Sequence, residues 1–150
     1  MTRDDLDRVI VSEALSWLGT PYRHQASARG QGTDCLGLVR GVWRYLHGAE
    51  PQPVPPYLPH WDRGEGDELL LDAAHRYLIP CDADRVRAGE VVVFRMVPGA
   101  PAKHCGIMIS ESAFVHAYAG RQVVRSRWTP FWSSRLAARF CFPLTEGEAS

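Results

Sequence analysis

The sequence lacks a long hydrophobic run and an excess of charge of one sign. No stretch approaches the roughly 18 apolar residues of a membrane-spanning helix, which argues against membrane insertion. Seventeen Lys and Arg residues balance seventeen Asp and Glu residues, so the chain offers no basic field for nucleic acid and no acidic tail. We therefore expect no membrane insertion and no binding to nucleic acid.

The amino terminus also lacks the pattern of a secretion signal, because acidic residues stand where a signal peptide has a basic segment. We expect synthesis in the cytoplasm without a signal peptide. The cysteines form no C-x-x-C pair, and in such a chain they are expected to be reduced thiols rather than disulfides. Residues 1–150 are expected to form a single domain, which at this length buries a core without disulfides.

Hydrophobic periodicity divides the chain into a helical first half and a strand-rich second half. Apolar residues recur at helical spacing over residues 4–18, from Cys35 to Gly48, and from a cap at Asp67 as far as Leu78. Residues 51–66 contain five prolines and predict a long ordered loop or flap. The strand-like segments are Glu90 to Arg95, His104 to Ile109, Ala113 to Tyr118, Gln122 to Arg127 and Arg139 to Phe142. This order predicts an α+β fold, with N-terminal helices packed on a five- to six-stranded antiparallel, meandering sheet.

Cys35 is the candidate nucleophile, because among the cysteines it alone falls in the first turn of a predicted helix, with Thr33 or Asp34 as the cap. The free N–H groups and the dipole at a helix N-terminus favour the reactive thiolate. The Cys35 amide is a candidate donor to an oxyanion, and Gly37 would let a substrate approach the backbone. The alternative is a buried cysteine that merely begins an amphipathic helix.

Two histidines supply a candidate base and its orienting partner. His104 and His116 lie on successive predicted strands joined by a turn near Glu111. Side chains alternate along a strand, so both histidines are expected on one face, as diagonal neighbours about 7–8 Å apart at Cα. His104 would take the Cys35 proton and later donate one to the leaving amine, while His116 fixes the His104 ring.

The same region offers donor types that zinc prefers, namely Cys35, His104, Cys105 and His116. Cys105 follows His104 on one strand, so its side chain is expected on the opposite face of the sheet. Because tetrahedral coordination needs all the donors to converge, no metal and no cofactor is predicted here.

Four motifs in order resemble those of NlpC-type cell-wall peptidases, which are papain-like cysteine peptidases. Asp34 to Val39 (D-C-L-G-L-V) is similar to the family's D-C-S-G-L-V, and Gly89 to Phe94 (G-E-V-V-V-F) to its G-D-L-V-F-F strand. His104 to Ile107 (H-C-G-I) resembles H-V-G-I, and Thr20 to Tyr22 (T-P-Y) resembles the P-Y segment. The sequence departs from the pattern in three places: Leu36 replaces serine, Cys105 replaces an apolar residue, and Arg23 to Gln25 replaces the glycine-rich stretch after the tyrosine.

The resemblance implies a papain-like fold and hydrolysis of a peptide bond in the peptidoglycan stem, typically between D-glutamate and the diamino acid. It places Cys35, His104 and His116 as the catalytic residues. Tyr22 would line the site and assist the cysteine, and Asp34 and Gly37 would support the oxyanion or the substrate. The form D-C-L-G-L-V-R-G-V-W looks most like the phage-tail subgroup, which implies assembly with tail or baseplate proteins of a phage-like particle.

Two other readings stay open at this stage. One is a catalytically silent structural tail component that keeps the fold. The other is a thiol acyltransferase or amidase, because an acyl group on Cys35 can pass to nucleophiles other than water.

Overall fold

The computed structural model describes residues 2–51, 68–81, 84–118 and 120–144. These residues contain four helices and eight strands, among which every predicted helix and strand reappears with shifted ends. The helices are α1 (Arg3–Leu15), α2 (Cys35–His47), α3 (Leu69–Tyr77) and α4 (Pro130–Ser133). The strands are β1 (Ser27–Ala28), β2 (Gly32–Thr33), β3 (Ile79–Pro80), β4 (Glu90–Phe94), β5 (His104–Met108), β6 (Ala113–Ala117), β7 (Val123–Arg127) and β8 (Leu136–Cys141).

Six of the strands form one antiparallel sheet in the order β3-β8-β4-β5-β6-β7. The predicted α+β fold and strand number are confirmed, but the predicted meander is wrong for β8. This last strand returns to lie between β3 and β4, so that β4 is an interior strand. All five β4 residues are buried, and the pairing with β8 supplies the second hydrogen-bonding edge that such a strand needs.

The two faces of the sheet carry different side chains, because neighbouring residues on a strand point in opposite directions. Helices α1 and α2 cover one face and share its core with residues such as Val93, Cys105 and Ile107. The other face carries a smaller cluster built from aromatic and aliphatic side chains. Its buried members are Val92, Phe94, Met108, Phe114 and Trp132.

Two short features were not expected from the sequence. The segment from Pro21 to Gly32 contains β1 and enters the β1–β2 hairpin, and β3 follows α3 directly. Helix α3 begins after Glu68; the predicted cap Asp67 and residues 52–66 of the predicted loop lie outside the described residues. Among the described helices, none has the length and apolar character needed to cross a membrane.

Candidate active site

Cys35 is the first residue of α2, as predicted, and Asp34 is the helix cap. The Asp34 carboxylate accepts hydrogen bonds from the Gly37 amide and from the Gln25 amide, both at 2.7 Å. It therefore fixes the helix start and also ties the preceding loop to it. Asp34 is buried, so it supports the site through the backbone. Cys35 itself is partly exposed.

The expectation that a substrate approaches the backbone at Gly37 is wrong. A Cβ atom at Gly37 would lie 2.0 Å from the Ala26 carbonyl oxygen and 2.4 Å from Thr33 Oγ1. That space is filled by the protein itself. Gly37 is needed because the loop before α2 packs directly against the first turn of the helix, and only glycine leaves room for the contact.

His104 and His116 lie together on the aromatic face of the sheet, as the alternation predicted. Strand β5 pairs with β6 so that Ile107 faces Val115 and Met108 faces Phe114. This register makes the two histidines diagonal neighbours, and His104 Nε2 lies 2.7 Å from His116 Nδ1. The remaining ring nitrogen of His104, Nδ1, is the one left for Cys35.

Gly106 leaves room for the His116 side chain because it has no Cβ atom. It lies between His104 and Met108 on β5, opposite His116 in the same register. A Cβ atom there would stand 3.0 Å from His116 Cβ and 2.9 Å from the Val115 carbonyl oxygen. The glycine in H-C-G-I therefore lets the His116 side chain settle close to the sheet.

Ser126 extends the chain of hydrogen bonds to a third strand. Its hydroxyl oxygen lies 2.8 Å from His116 Nε2. If His104 carries a proton on Nε2, it donates to His116 Nδ1, and His116 must then be the neutral tautomer with its proton on Nε2. That N–H donates to the Ser126 hydroxyl, so Ser126 holds the tautomer that lets His116 accept from His104.

Aromatic side chains enclose His116 and keep it neutral. Its ring lies 4.5 Å from that of Phe114 and 5.0 Å from that of Trp132, measured between centroids, and only 1% of the residue is exposed. Burial, together with the nearby charge of His104, lowers the pKa of His116 to about 3. The ring that orients His104 therefore does not compete with it as a base.

The surroundings of Cys35 stabilise its thiolate. The largest cause of its lowered pKa is a hydrogen bond from the Cys105 thiol, and a hydrogen bond and charge from His104 act in the same direction. These contacts outweigh burial and the charge of Asp34, which both act to raise the pKa. In the neutral form, the Cys35 thiol donates to the Lys103 carbonyl oxygen at 3.5 Å.

Cys105 lies on the face opposite the histidines, as expected, and is buried in the main core. It is more than a packing residue, however, because its Sγ lies 3.3 Å from the Cys35 carbonyl oxygen. The pKa of Cys105 is raised well above that of a free thiol by its hydrogen bond with Cys35 and by burial. Cys105 therefore stays protonated and serves as a donor at the base of the site.

Tyr22 borders the same site. Its amide donates to the Arg121 carbonyl oxygen at 3.0 Å and its backbone bridges to Thr33, which anchors it between β2 and the turn before β7. Burial, followed by the negative charge of Cys35, raises the pKa of Tyr22 to about 12. The phenol therefore stays a neutral hydroxyl in the electrostatic field of Cys35.

Sequence reasoning missed Ser126 and left Trp132 unassigned. Ser126 lies on β7, where Phe114 faces it across the strand pair, and its approach to His116 follows from that register alone. The even spacing of 116 and 126 was the only available signal, and it acquires meaning only once the pairing of β6 with β7 is known. Trp132 reaches the site from α4, a single turn after β7.

Comparison with known proteins places the chain among the members of one family. The model of the NlpC/P60 family matches residues 19–140. The chain is 30% identical over 132 residues to the Murein DD-endopeptidase MepS/Murein LD-carboxypeptidase of Escherichia coli (strain K12), covering 87% of this chain and 60% of that protein. It is 26% identical over 136 residues to the Gamma-DL-glutamyl hydrolase of Bacillus subtilis (strain 168), covering 87% of this chain but 28% of that protein. The chain thus spans less than two thirds of the length of either relative.

A solved structure agrees in fold. The NLP/P60 family protein described as similar to lipoprotein from Staphylococcus aureus subsp. aureus Mu50 superposes with a TM-score of 0.61 at 19% identity. The superposition covers 92% of this chain and 41% of that one. The helices and the six-stranded antiparallel sheet are therefore those of a papain-like α+β fold.

Proposed function

This chain belongs to the NlpC/P60 family, and from that premise we propose that it is a cysteine peptidase that hydrolyses the stem peptide of bacterial peptidoglycan. The observation that carries the proposal is the continuous line of groups Cys35, His104, His116 and Ser126. The Cys35 thiol at the start of α2 interacts with the imidazole of His104 through a hydrogen bond and charge. The far nitrogen of His104, Nε2, lies 2.7 Å from Nδ1 of the neutral His116. This is the arrangement that nucleophilic acyl transfer requires.

The proposed reaction begins with the Cys35 proton on His104 Nδ1. The thiolate attacks the carbonyl carbon of the scissile bond, and the resulting oxyanion is stabilised by the Cys35 amide at the start of α2. His104 then donates its proton to the leaving amine, which departs and leaves a thioester on Cys35. A water molecule, deprotonated by His104, attacks the thioester and releases the carboxylate product.

His116 and Ser126 act on the orientation of His104 throughout this cycle. When His104 is an imidazolium, its Nε2–H donates to His116 Nδ1, and the His116 Nε2–H donates to Ser126. Because His116 stays neutral, the positive charge remains on His104 beside the thiolate. A ring free to rotate would lose the alignment of Nδ1 with both the sulfur and the leaving nitrogen.

The bond proposed as the target joins D-glutamate to the diamino acid of the stem. The name of the Bacillus subtilis relative, a Gamma-DL-glutamyl hydrolase, supports a γ-linked glutamyl substrate. The name of the Escherichia coli relative, a Murein DD-endopeptidase and LD-carboxypeptidase, refers instead to DD and LD bonds. Mass spectrometry of the released stem fragments distinguishes these two targets.

The test is digestion of purified peptidoglycan by the wild-type chain and by Cys35→Ala, with Cys81→Ala as the matched control. We expect release of stem fragments by the wild type and the control, and none by Cys35→Ala. Equal release by all three, or by none, favours the silent structural reading. Fragments joined to an added amine instead of ending in a carboxylate would favour the acyltransferase reading.

We further propose that the chain acts as part of a phage or phage-like particle, reaching the wall with tail or baseplate proteins. The support is the resemblance of residues 34–43, D-C-L-G-L-V-R-G-V-W, to the phage-tail subgroup. Particles purified from a producing strain should contain this chain at a fixed ratio to the tail proteins. Its absence from washed particles, while it is present in the lysate, would contradict the assignment.

A further inference from the structure

Two cysteines outside the candidate active site lie side by side where β3 meets β8. Ile79 pairs with Cys141, and the Cys81 amide donates to the Arg139 carbonyl oxygen at 3.0 Å, so the two cysteines are diagonal neighbours. Their Sγ atoms are 3.1 Å apart. Both side chains are partly exposed. To form an S–S bond of about 2.05 Å, the two sulfurs would have to approach each other by about 1 Å.

The surroundings of this pair shift the pKa values of the two thiols in opposite directions. The hydrogen bond from the Cys81 thiol, and then the charge of Arg3, lower the pKa of Cys141 to about 7, against the opposing effects of burial, Glu90 and Asp7. The same hydrogen bond, followed by burial, raises the pKa of Cys81. Arg3 supplies the asymmetry, because its Nη1 donates to the carbonyl oxygen of Phe142, the residue after Cys141, at 2.6 Å and its charge favours a thiolate at Cys141, with Cys81 as the proton donor.

We propose that Cys81 and Cys141 form a thiol–disulfide exchange site, which reacts with a low-molecular-weight disulfide of the glutathione class and closes an intramolecular disulfide between β3 and β8. Cys141 attacks one sulfur of the reagent, the reagent's S–S bond breaks, and one thiolate leaves and takes up a proton. Cys81 then loses its proton to solvent and attacks Cys141 Sγ, which releases the second reagent thiol. Two protein thiols are oxidised and one disulfide is reduced to two thiols.

The order of attack follows from the same contacts. While Cys141 is a thiolate, Cys81 holds its proton in the hydrogen bond between them. Once Cys141 carries the mixed disulfide, that negative charge is gone and with it the main reason for Cys81 to stay protonated. Cys81 therefore becomes a nucleophile once Cys141 carries the mixed disulfide that it has to attack.

A metal ion is the competing occupant. Cys81, Cys141 and Glu90 place one ligand atom each within 4.8 Å of the others, and these are donor types that zinc accepts. The Glu90 carboxylate is already engaged, however, since its Oε1 accepts from Arg139 Nη1 at 2.9 Å and from the Arg87 amide at 3.1 Å. A guanidinium this close opposes a cation at the same oxygen, which favours the disulfide.

This site is separate from the proposed active site and does not depend on it. Cys141 pairs with Glu90 at the start of β4, whereas His104 pairs with Phe94 at its end. The exchange reaction can therefore be measured in a chain without the nucleophile. Cys35→Ala removes the reactive thiol of the active site and leaves Cys105, 1% exposed, without a sulfur partner.

The test treats the Cys35→Ala chain with oxidised glutathione and follows it by intact mass and by non-reducing peptide mapping. We expect a product that has lost two hydrogen atoms, with one peptide pair joined through Cys81 and Cys141. With Cys81→Ser added, one glutathionyl group should accumulate on Cys141. With Cys141→Ser added instead, modification of Cys81 near neutral pH should be at least about tenfold slower, because the charge of Arg3, which favours a thiolate at Cys141, is not among the causes that act on Cys81. The oxidised parent should also unfold at a higher temperature than the same sample after reduction.

Three results would overturn the inference. A glutathionyl group that stays on Cys141 of the parent chain without a linked peptide would show that the second step fails. Faster modification of Cys81 than of Cys141 would reverse the assigned roles. Stoichiometric zinc binding by the reduced chain, abolished by Cys141→Ser, would assign the cluster to a metal. The linked peptide is sought in the chain with both native cysteines, so a poorly folded serine variant does not decide the outcome.

Discussion

Ser126→Ala tests the hydrogen-bond chain most directly, because it removes one hydroxyl without touching the three residues proposed to perform catalysis. His116 is 1% exposed, and its Nε2–H would lose the acceptor that lies 2.8 Å away. An unsatisfied buried donor costs about 1–3 kcal/mol. His116 can avoid that cost by moving its proton to Nδ1, but an N–H there would face the N–H of protonated His104.

Both the unsatisfied N–H and the shifted proton of His116 would weaken the hydrogen bond that orients His104. If the lost free energy appears in the transition state, kcat falls by about 5- to 150-fold, while KM changes little because Ser126 touches no part of the expected substrate. The alkylation rate of Cys35 below neutral pH should fall as well, since the His104 imidazolium that pairs with the thiolate is less well held. Ser126→Thr keeps the hydroxyl and should restore most of both rates.

The assay combines stem-peptide hydrolysis with the rate of iodoacetamide alkylation of Cys35 across pH. Ser112→Ala, an exposed serine in the β5–β6 turn, is the matched control and should behave as wild type. An unchanged kcat and alkylation profile in Ser126→Ala would refute the assigned role of Ser126. A purely structural effect would appear as equal losses in the alanine and threonine variants, with lowered thermal stability in both.

Three further outcomes are expected. Alkylation of Cys35 should persist as the pH falls to about 5, the value to which its pKa is lowered, and should then decline as the thiolate is protonated. Cys105→Val should move this decline to higher pH, because it removes the hydrogen bond that is the largest cause of the lowered Cys35 pKa. An unmoved profile would show that Cys105 does not donate to Cys35. Asp34→Ala should lower the free energy of unfolding by about 0.5–2 kcal/mol, through loss of the α2 cap, as measured by urea denaturation, and Asp34→Asn should retain more of it. Gly106→Ala should displace His116 by a few tenths of an ångström and reduce kcat by less than the roughly hundredfold loss expected for a 1 Å misplacement, while a folded variant with normal kcat would contradict the packing argument.

The sequence was sufficient for the parts of the site that depend on local spacing. Cys35 at the start of α2 follows from the apolar repeat and its cap, and the shared face of His104 and His116 follows from their even separation along two regular strands. The contribution of Gly37 was misread, since nothing local shows that Ala26 fills the space beside it. Local patterns identify which face a residue takes, but not which distant segment packs there.

The features that could not be predicted from the sequence depend on pairing between strands that lie far apart along the chain. β8 lies between β3 and β4, although more than 40 residues separate it from β4 along the chain. A strand with all its residues buried can be recognised from its composition, but its partner on the second edge cannot. The approach of Ser126 to His116, and of Cys81 to Cys141, depends on such pairings, which is why both were missed.

A histidine in the proposed third catalytic position has to be prevented from acting as a base, and burial on the aromatic face of the sheet would do this for His116. An asparagine could orient His104 without titrating, whereas His116 in water would share protons near neutral pH. Phe114 and Trp132 exclude water from its ring, and the resulting burial lowers its pKa to about 3. The proton released by Cys35 therefore stays on His104, next to the thiolate it stabilises and the leaving nitrogen it must reach. Trp132 thus acts on the reaction through desolvation of His116, without contact with the reacting atoms.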